Sequence, residues 1–456
     1  MCVVLDTDEW AYQQFGSCDL GDVRRTRRLV KFASQVAADP DASTPGQTER
    51  WADLKAAYRV IDRAEVTFHA VASPHWQQTR DRDWGTWLIS CDTTEVDFGV
   101  TNEARGLGPL GTGLGRGFLL HSGLMIDPET EEVVGLAGQK IRYRKPAPKN
   151  ESRVRRLARD RESRIWGELV EQIGPPAEGV RFIDICGRGA DNFEVYCKLL
   201  LNRHDWIVRA SSLNRVILHV GEEQPLSEYL GLLPLAGTYD LSYRSKKHGS
   251  RTAKIEVRFG QVMMPAPRQR SPWLREVGIT LIAMNVVEVR EVNAPQNVEP
   301  LHWVLFTSLP VTTYENAWTV IEYYEKRPIV EEFHKALKTG CRVEGRQYET
   351  SERLEAIAAL LSVTAIRLLQ LRSAARETPD RAAEEVVPRL WVTALRRLRR
   401  GRRIETVREF FRELAGLGGH MLRKSDGEPG WITLWRGFEK LHIALRALRD
   451  YRVKCG

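Results

Sequence analysis

The chain has 456 residues, 42% apolar and 28% charged, which allows two or three domains with a substantial core and excludes an intrinsically disordered protein. A net charge of +8 and a pI near 9.1 are compatible with a polyanionic partner, although the clustering of cations matters more than their total. Seven scattered cysteines with no C-x2-C pair argue against a zinc site or disulfide framework and fit a reducing cytoplasm, and no signal-type N-terminus or membrane-length apolar run is present.

Residues 1–75 read as mostly helical. Leu20–Lys31 opens a helix carrying Arg24, Arg25, Arg27, Arg28 and Lys31 close together. Thr44-Pro45-Gly46 then breaks the chain before a second helix near Arg50–Arg63. Such cationic helices suit contacts to DNA phosphates, and they equally suit a solvated face. From Trp84 the pattern turns strand-like. Trp87–Cys91 is an apolar run that ends at Asp92-Thr93-Thr94. A carboxylate at the end of a buried strand can present a metal ligand or simply form a turn, and Asp97 is its rival. Gly106–Gly111 spells G-x-G-x-x-G but precedes a strand-like run, Phe118–His121, which rules out a dinucleotide site.

Val133–Gly138 continues the sheet, residues 150–174 form a charged helix, and Val180–Cys186 is the next strand. Asp184 on that strand has the opposite parity to position 187 and should point to the other face. Trp206–Ala210 comes next as a strand bearing Arg209. Residues 213–299 look like a β-rich insertion, with Lys254–Phe259 alternating, Val277–Val289 apolar, and a basic turn at Arg244, Lys246, Lys247, His248 and Arg251. His302–Ser308 returns to the core sheet. Leu354–Leu371 is an apolar helix, and Arg396–Arg403 is a cationic cluster that suits phosphate or a wet helix end.

Tyr324–Lys338 is the most informative stretch. At about 100° per residue, Ile329, Phe333, Ala336 and Leu337 share a face that can be buried. Tyr324, Arg327, Glu331, Lys335 and Lys338 fall on the opposite side within about 80°. One carboxylate among three cations and a phenol suits a phosphodiester and a metal ion. A solvated amphipathic helix with i,i+4 pairs gives the same pattern. Pro328 belongs in a first turn, so the geometry is firm only from Glu331 onward.

The spacing Y-x2-R-x3-E-x6-K formed by Tyr324, Arg327, Glu331 and Lys338 resembles the signature of the insertion-sequence-four family of DDE transposases. Further matches are Trp10, Gly21-Asp22, Arg24–Leu29, Ala56–Arg59, Asp92-Thr93-Thr94, Glu162–Trp166 and Gly418–Gly437, so the resemblance runs from about Trp10 to Leu448. It implies an α/β, RNase H-like catalytic core at 76–370 with the β-rich insertion at 213–299. A helical DNA-end-binding domain at 1–75 and a helical, dimerising C-terminal region at 371–456 would flank it. Asp92 and Glu331 would hold Mg²⁺ or Mn²⁺, while Lys338, Arg327 and Tyr324 position the scissile phosphate. Arg24, Arg25, Arg27, Arg28, Arg209, Trp303 and Lys335 would contact double-stranded transposon-end or target DNA, in the cytoplasm at the nucleoid and away from any membrane.

One position departs from the family pattern. Gly187 stands where the second catalytic Asp belongs, with Asp191 and Asp184 as the nearby substitutes. The alternative reading is therefore an inactive end-binding protein or inhibitor.

Overall fold

The computed structural model describes residues 6–48, 50–111, 114–145, 148, 150–152, 155, 161–245, 249–292, 294–296, 298–423 and 427–454. The stretch around Asp92 folds as a single long strand, β1 (Gly85–Asp97). It does not stop at Cys91 as expected. Thr93, Thr94 and Val96 keep the chain extended, and pairing with β3 (Gly115–Ile126) continues past Asp92↔Ser122 to Val96↔Phe118. Asp92 is therefore a mid-strand residue.

Between them lies β2 (Gly108–Leu110), which pairs with β3, so a strand and not a helix comes after Gly106. The next strands are β4 (Val133–Arg142), β5 (Val180–Cys186) and β6 (Asp205–Arg209). β3 runs antiparallel to β1 and β4, whereas β5 is parallel to both β1 and β6. The spatial order is thus β4-β3-β1-β5-β6.

The β-rich stretch supplies β7 (Val216–His219), β8 (Glu222–Pro225), β9 (Gly237–Ser245), β10 (Gly249–Pro265) and β11 (Leu281–Val292), with β12 (His302–Thr307) after them. β12 pairs antiparallel with β6 on one side and β11 on the other, so these strands extend the same twelve-stranded sheet. The expected return of 302–308 to the core is seen. Lys246, Lys247 and His248 of the basic turn lie outside the described residues, and Arg251 is committed to Glu291.

Strand alternation sorts β1 and β5 into two faces. Leu88, Ile183 and Ile185 face a core shared with helices Phe68–Arg80, Ile329–Lys335 and Ser351–Glu377. Ile89, Cys91, Phe182 and Cys186 face the other core, under helices Ile165–Ile173 and Phe193–Leu201. Residues 156–160 of the expected 150–174 helix lie outside the described residues.

The N-terminal helices are Thr7–Phe15, Val23–Ala38, Thr44–Gln47 and Trp51–Ile61. The second starts at Val23, after Leu20, because the Asp22 carboxylate accepts from the Arg24 N–H and caps it. Thr44-Pro45-Gly46 is a short helical turn capped by Ser43, with Pro45 in a first-turn position that needs no N–H. This bundle is fastened to the sheet by buried polar groups. His75 Nδ1 lies 2.6 Å from Gln14 Oε1, and its Nε2 accepts from the Leu136 N–H at 3.0 Å. The buried Arg346 guanidinium donates to the carbonyls of Pro40, Ala42 and Cys341. Among the described residues no helix is long and apolar enough to cross a membrane.

Candidate functional site

Tyr324–Lys338 is not one helix. Helix Tyr314–Glu325 ends, Lys326–Pro328 form a turn, and helix Ile329–Lys335 begins after it. A proline ring and its missing N–H forbid continuation through position 328. A π turn over Ala336–Gly340, closed by the Cys341 N–H on the Ala336 carbonyl at 2.9 Å, then shifts the helical phase beyond Lys335. Five side chains expected on one helical face are consequently distributed.

Three groups meet at the centre of the sheet. Arg327 Nη2 lies 2.8 Å from Asp92 Oδ2, and Arg327 Nη1 lies 2.9 Å from Glu331 Oε1. Ser90, two residues before Asp92 and therefore on the same face, donates its hydroxyl to the Arg327 carbonyl at 2.8 Å. Burial lifts the Asp92 pKa above the usual carboxylate range, against the pull of Arg327, and Glu331 adds to the rise. Burial works to lower Arg327, but Asp92, Tyr324 and Glu331 outweigh it and leave its pKa raised.

Gly187 borders this cluster. A Cβ built on it would lie 3.2 Å from Arg327 Nε and 3.3 Å from Nη2, and that buried Nε has no hydrogen-bond partner among the described residues. The backbone there (φ −77°, ψ −173°) is extended and open to any residue. Position 187 therefore faces the site, and the chain places no carboxylate there.

Neither substitute reaches it. Asp184 is fully buried on the opposite face, 2.7 Å from His204 Nδ1, as strand parity requires. Asp191 caps a separate network, accepting from Tyr196 Oη at 2.9 Å and Ser211 N at 2.7 Å and pairing with Arg215 at 2.9 Å. The expectation that Asp191 joins Asp92 and Glu331 is not met, because its oxygens are already committed.

Tyr324 is buried, with its ring centroid 5.6 Å from that of Trp303 in an edge-on contact. Burial raises the Tyr324 pKa against the opposing charges of Arg327 and Arg209. Arg209 donates to the His302 carbonyl at 2.9 Å, and burial lowers its pKa. These three join the cluster's flank. Lys335 is exposed, 4.0 Å from Glu332, and Lys338 pairs with Glu344 at 2.9 Å, so neither touches Asp92 or Glu331. Glu344 also accepts from the Asp97 N–H, which ties Lys338 to the end of β1.

Sequence reasoning missed Ser90, His121 and His334. His121 Nδ1 lies 2.8 Å from Thr93 Oγ1, while Nε2 of both buried histidines lacks a partner among the described residues. Burial pushes each down to about 3, helped at His121 by His334 and at His334 by Lys338 and Arg327. The i,i+2 relation of Ser90 to Asp92 was available as a signal, whereas the convergence of the two histidines was not.

Mg²⁺ and Mn²⁺ commonly take one or two carboxylates and complete their shell with water and phosphate oxygens. Asp92 and Glu331 converge on one guanidinium cation, so the donor chemistry suits a single such ion once Arg327 moves aside. It supplies no third carboxylate.

On helix Val23–Ala38, Arg24, Arg27 and Arg28 are exposed and without an ion-pair partner among the described residues, whereas Arg25 pairs with Glu65 at 2.6 Å. At 396–403 four arginines (Arg396, Arg399, Arg402 and Arg403) are held by Glu384, Glu413 and Glu405, whereas Arg397 and Arg400 are exposed and without an ion-pair partner among the described residues. The molecule is thus an α/β protein with an exposed cationic helical face and a carboxylate–arginine cluster at the centre of its sheet. Residues 7–66 match the transposase DNA-binding family model, which supports a transposase with DNA as its partner.

Proposed function

We propose that this chain is an insertion-sequence-four-type transposase protein that binds transposon-end DNA through residues 1–75 and carries an incomplete cleavage centre. The strand order β4-β3-β1-β5-β6, in which β3 alone runs opposite to the other four, supports an RNase H-like core across 76–370. In this reading 371–456 serves dimerisation when two ends are paired, and the protein acts at the nucleoid. The observation that carries the reading is Gly187 against Arg327, with Asp184 and Asp191 both committed elsewhere.

A divalent ion at Asp92 and Glu331 would supply charge neutralisation at the scissile phosphate and an activated nucleophile. The chain's own contribution is positioning. Arg327, released from the two carboxylates, would bind the phosphate, and Arg209 would hold a neighbouring one. Lys338 would reach the DNA by exchanging Glu344 for a phosphate, with Lys335 beside it on the exposed side. The Tyr324 phenol, neutral at physiological pH, can donate a hydrogen bond to a phosphate oxygen, and Trp303 is poised at its edge to meet an unstacked base.

The test is nicking of duplex DNA carrying the terminal repeats that flank the gene, with Mg²⁺ or Mn²⁺, by the natural protein and by Gly187→Asp. Binding by both and nicking by the Asp form alone is the expected result. Cleavage and strand transfer by the natural chain is the second reading, favoured by the intact Asp92–Arg327–Glu331 contacts. Robust nicking by the natural protein would establish it and overturn the first. Absence of binding by either protein would remove both.

A further inference from the structure

On the opposite face of the same two strands lies a second cluster. Cys91 and Cys186 are register partners on β1 and β5, and Asp184 sits one same-face position before Cys186. Ligand atoms of all three lie within 4.8 Å of one another, and all three side chains are buried. The carboxylate is split between two neighbours. Its Oδ2 lies 2.7 Å from His204 Nδ1, and its Oδ1 faces the Cys91 sulfur at 3.6 Å. His204 is itself fixed by the Gly174 carbonyl, 2.8 Å from its Nε2.

His204 faces two acceptors, Asp184 Oδ2 and the Gly174 carbonyl, so it donates from both ring nitrogens and pairs with Oδ2 as a cation, which leaves Oδ1 as the oxygen turned to the two sulfurs. A thiol is a weak donor, so Oδ1 of a fully buried carboxylate is left with little compensation for its lost hydration. Two sulfurs and one carboxylate oxygen at these separations supply three of the four positions of a tetrahedral, borderline-soft divalent ion, with a water as the fourth ligand, and a hydrogen-bonded outer partner such as His204 is what orients a ligating carboxylate. Spacing along the chain hides the set, because the two cysteines become neighbours only through the parallel pairing of β1 with β5.

We propose that Cys91, Cys186 and Asp184 form a buried site for a thiophilic divalent cation of the Zn²⁺ class, which fastens β1 to β5 directly behind Asp92 and Gly187. Binding takes up the cation as two thiol protons leave to solvent, with no change in oxidation state. The ion enters as the chain folds, since the finished site is closed to solvent. It fixes the separation of the two strands whose next residues, Asp92 and Gly187, face the opposite side. The site needs no DNA, so its failure and that of the transposase reading are distinguishable.

The experiment uses the full chain, expressed with zinc in the medium and purified under a phosphine reductant. Metal is counted by mass spectrometry in the natural protein, in Cys91→Ala/Cys186→Ala, and in Cys341→Ala, whose thiol is buried elsewhere. About one zinc per chain is expected in the natural protein and the Cys341 variant, with loss in the double variant. Refolding the natural chain with Co²⁺ should add a thiolate-to-cobalt absorption band in the near ultraviolet, a readout that survives even if the double variant does not fold. Folded natural protein with neither zinc nor the band would overturn the proposal. So would a band that persists in the double variant, or a Cys91–Cys186 disulfide in chains alkylated inside the cell.

Discussion

Arg327→Gln removes the one cation that Asp92 and Glu331 share while keeping much of the side chain's length. Breaking a buried ion pair costs about 3–5 kcal/mol, because the remaining charge is left unpaired. The Asp92 side chain is 23% exposed and that of Glu331 57%, so water takes up part of the loss. The Glu331 arm then contributes about 0–1 kcal/mol as a surface pair, and a total near 2–3 kcal/mol remains after discounting the Asp92 arm. Unfolding entropy for a chain of this length is roughly 1 kcal/mol per kelvin, so the melting temperature should fall by about 2–3 °C at pH 7.5.

The pH dependence has a definite sign. Asp92 already has a folded pKa raised by burial, and without Arg327 it rises further. A carboxylate raised on folding carries no penalty below its unfolded pKa of about 3.9 and accumulates one as pH climbs through the folded value. The gap between variant and natural protein should therefore narrow as pH falls toward 4. Thermal melts of both proteins at pH 7.5 and pH 4 measure it. An equal gap at the two pH values, or a variant as stable as the natural chain at pH 7.5, would refute the argument.

Replacing Arg24, Arg27 and Arg28 by Ala should weaken DNA binding without moving the melting temperature, and should reduce the salt-dependence slope by up to about 2.7 if each meets one phosphate; titrations from 50 to 200 mM salt measure this. Arg346→Ala should cost about 3–5 kcal/mol, since it orphans the carbonyls of Pro40, Ala42 and Cys341, and a thermal melt should show it together with weaker DNA binding. His75, His121 and His334 have folded pKa values of about 3, below the unfolded value of about 6.5, so their stabilising contribution is complete above the latter and is lost as pH falls toward the former. At pH 5 each should cost about 2 kcal/mol relative to pH 7, and His75→Gln should melt with a shallower acid dependence than the natural protein. Gly187→Asp should fold with a melting temperature within about 2 °C of the natural protein, since the backbone is extended and Arg327 Nε gains an acceptor, and circular dichroism melts check it.

Much of the local structure is legible from residue patterns. Alternation along Val180–Cys186 correctly turns Asp184 away from position 187, and the cationic run after Asp22 does form a helix with three exposed arginines. The limits of Tyr324–Lys338 were less accessible. Pro328 announced trouble, but the π turn that diverts Lys338 to Glu344 has no sequence signal, because it arises where the helix end packs against Ser351–Glu377 and Trp431–Lys454. The β-rich stretch was visible as strands, yet its union with the central sheet depends on β12 lying between β6 and β11.

By itself the sequence determined which groups could act: a carboxylate at 92, an arginine and a glutamate one helical turn apart at 327 and 331, no side chain at 187, and a cationic helix near the start. Only the tertiary structure decided which of them meet. Asp92 and Arg327 are 235 residues apart along the chain, and Cys91 and Cys186 pair solely through β1 and β5. The physical reason is range. Backbone periodicity sets a side chain's direction over a few residues, whereas its neighbours are set by strand order and helix packing, which the whole core must satisfy together.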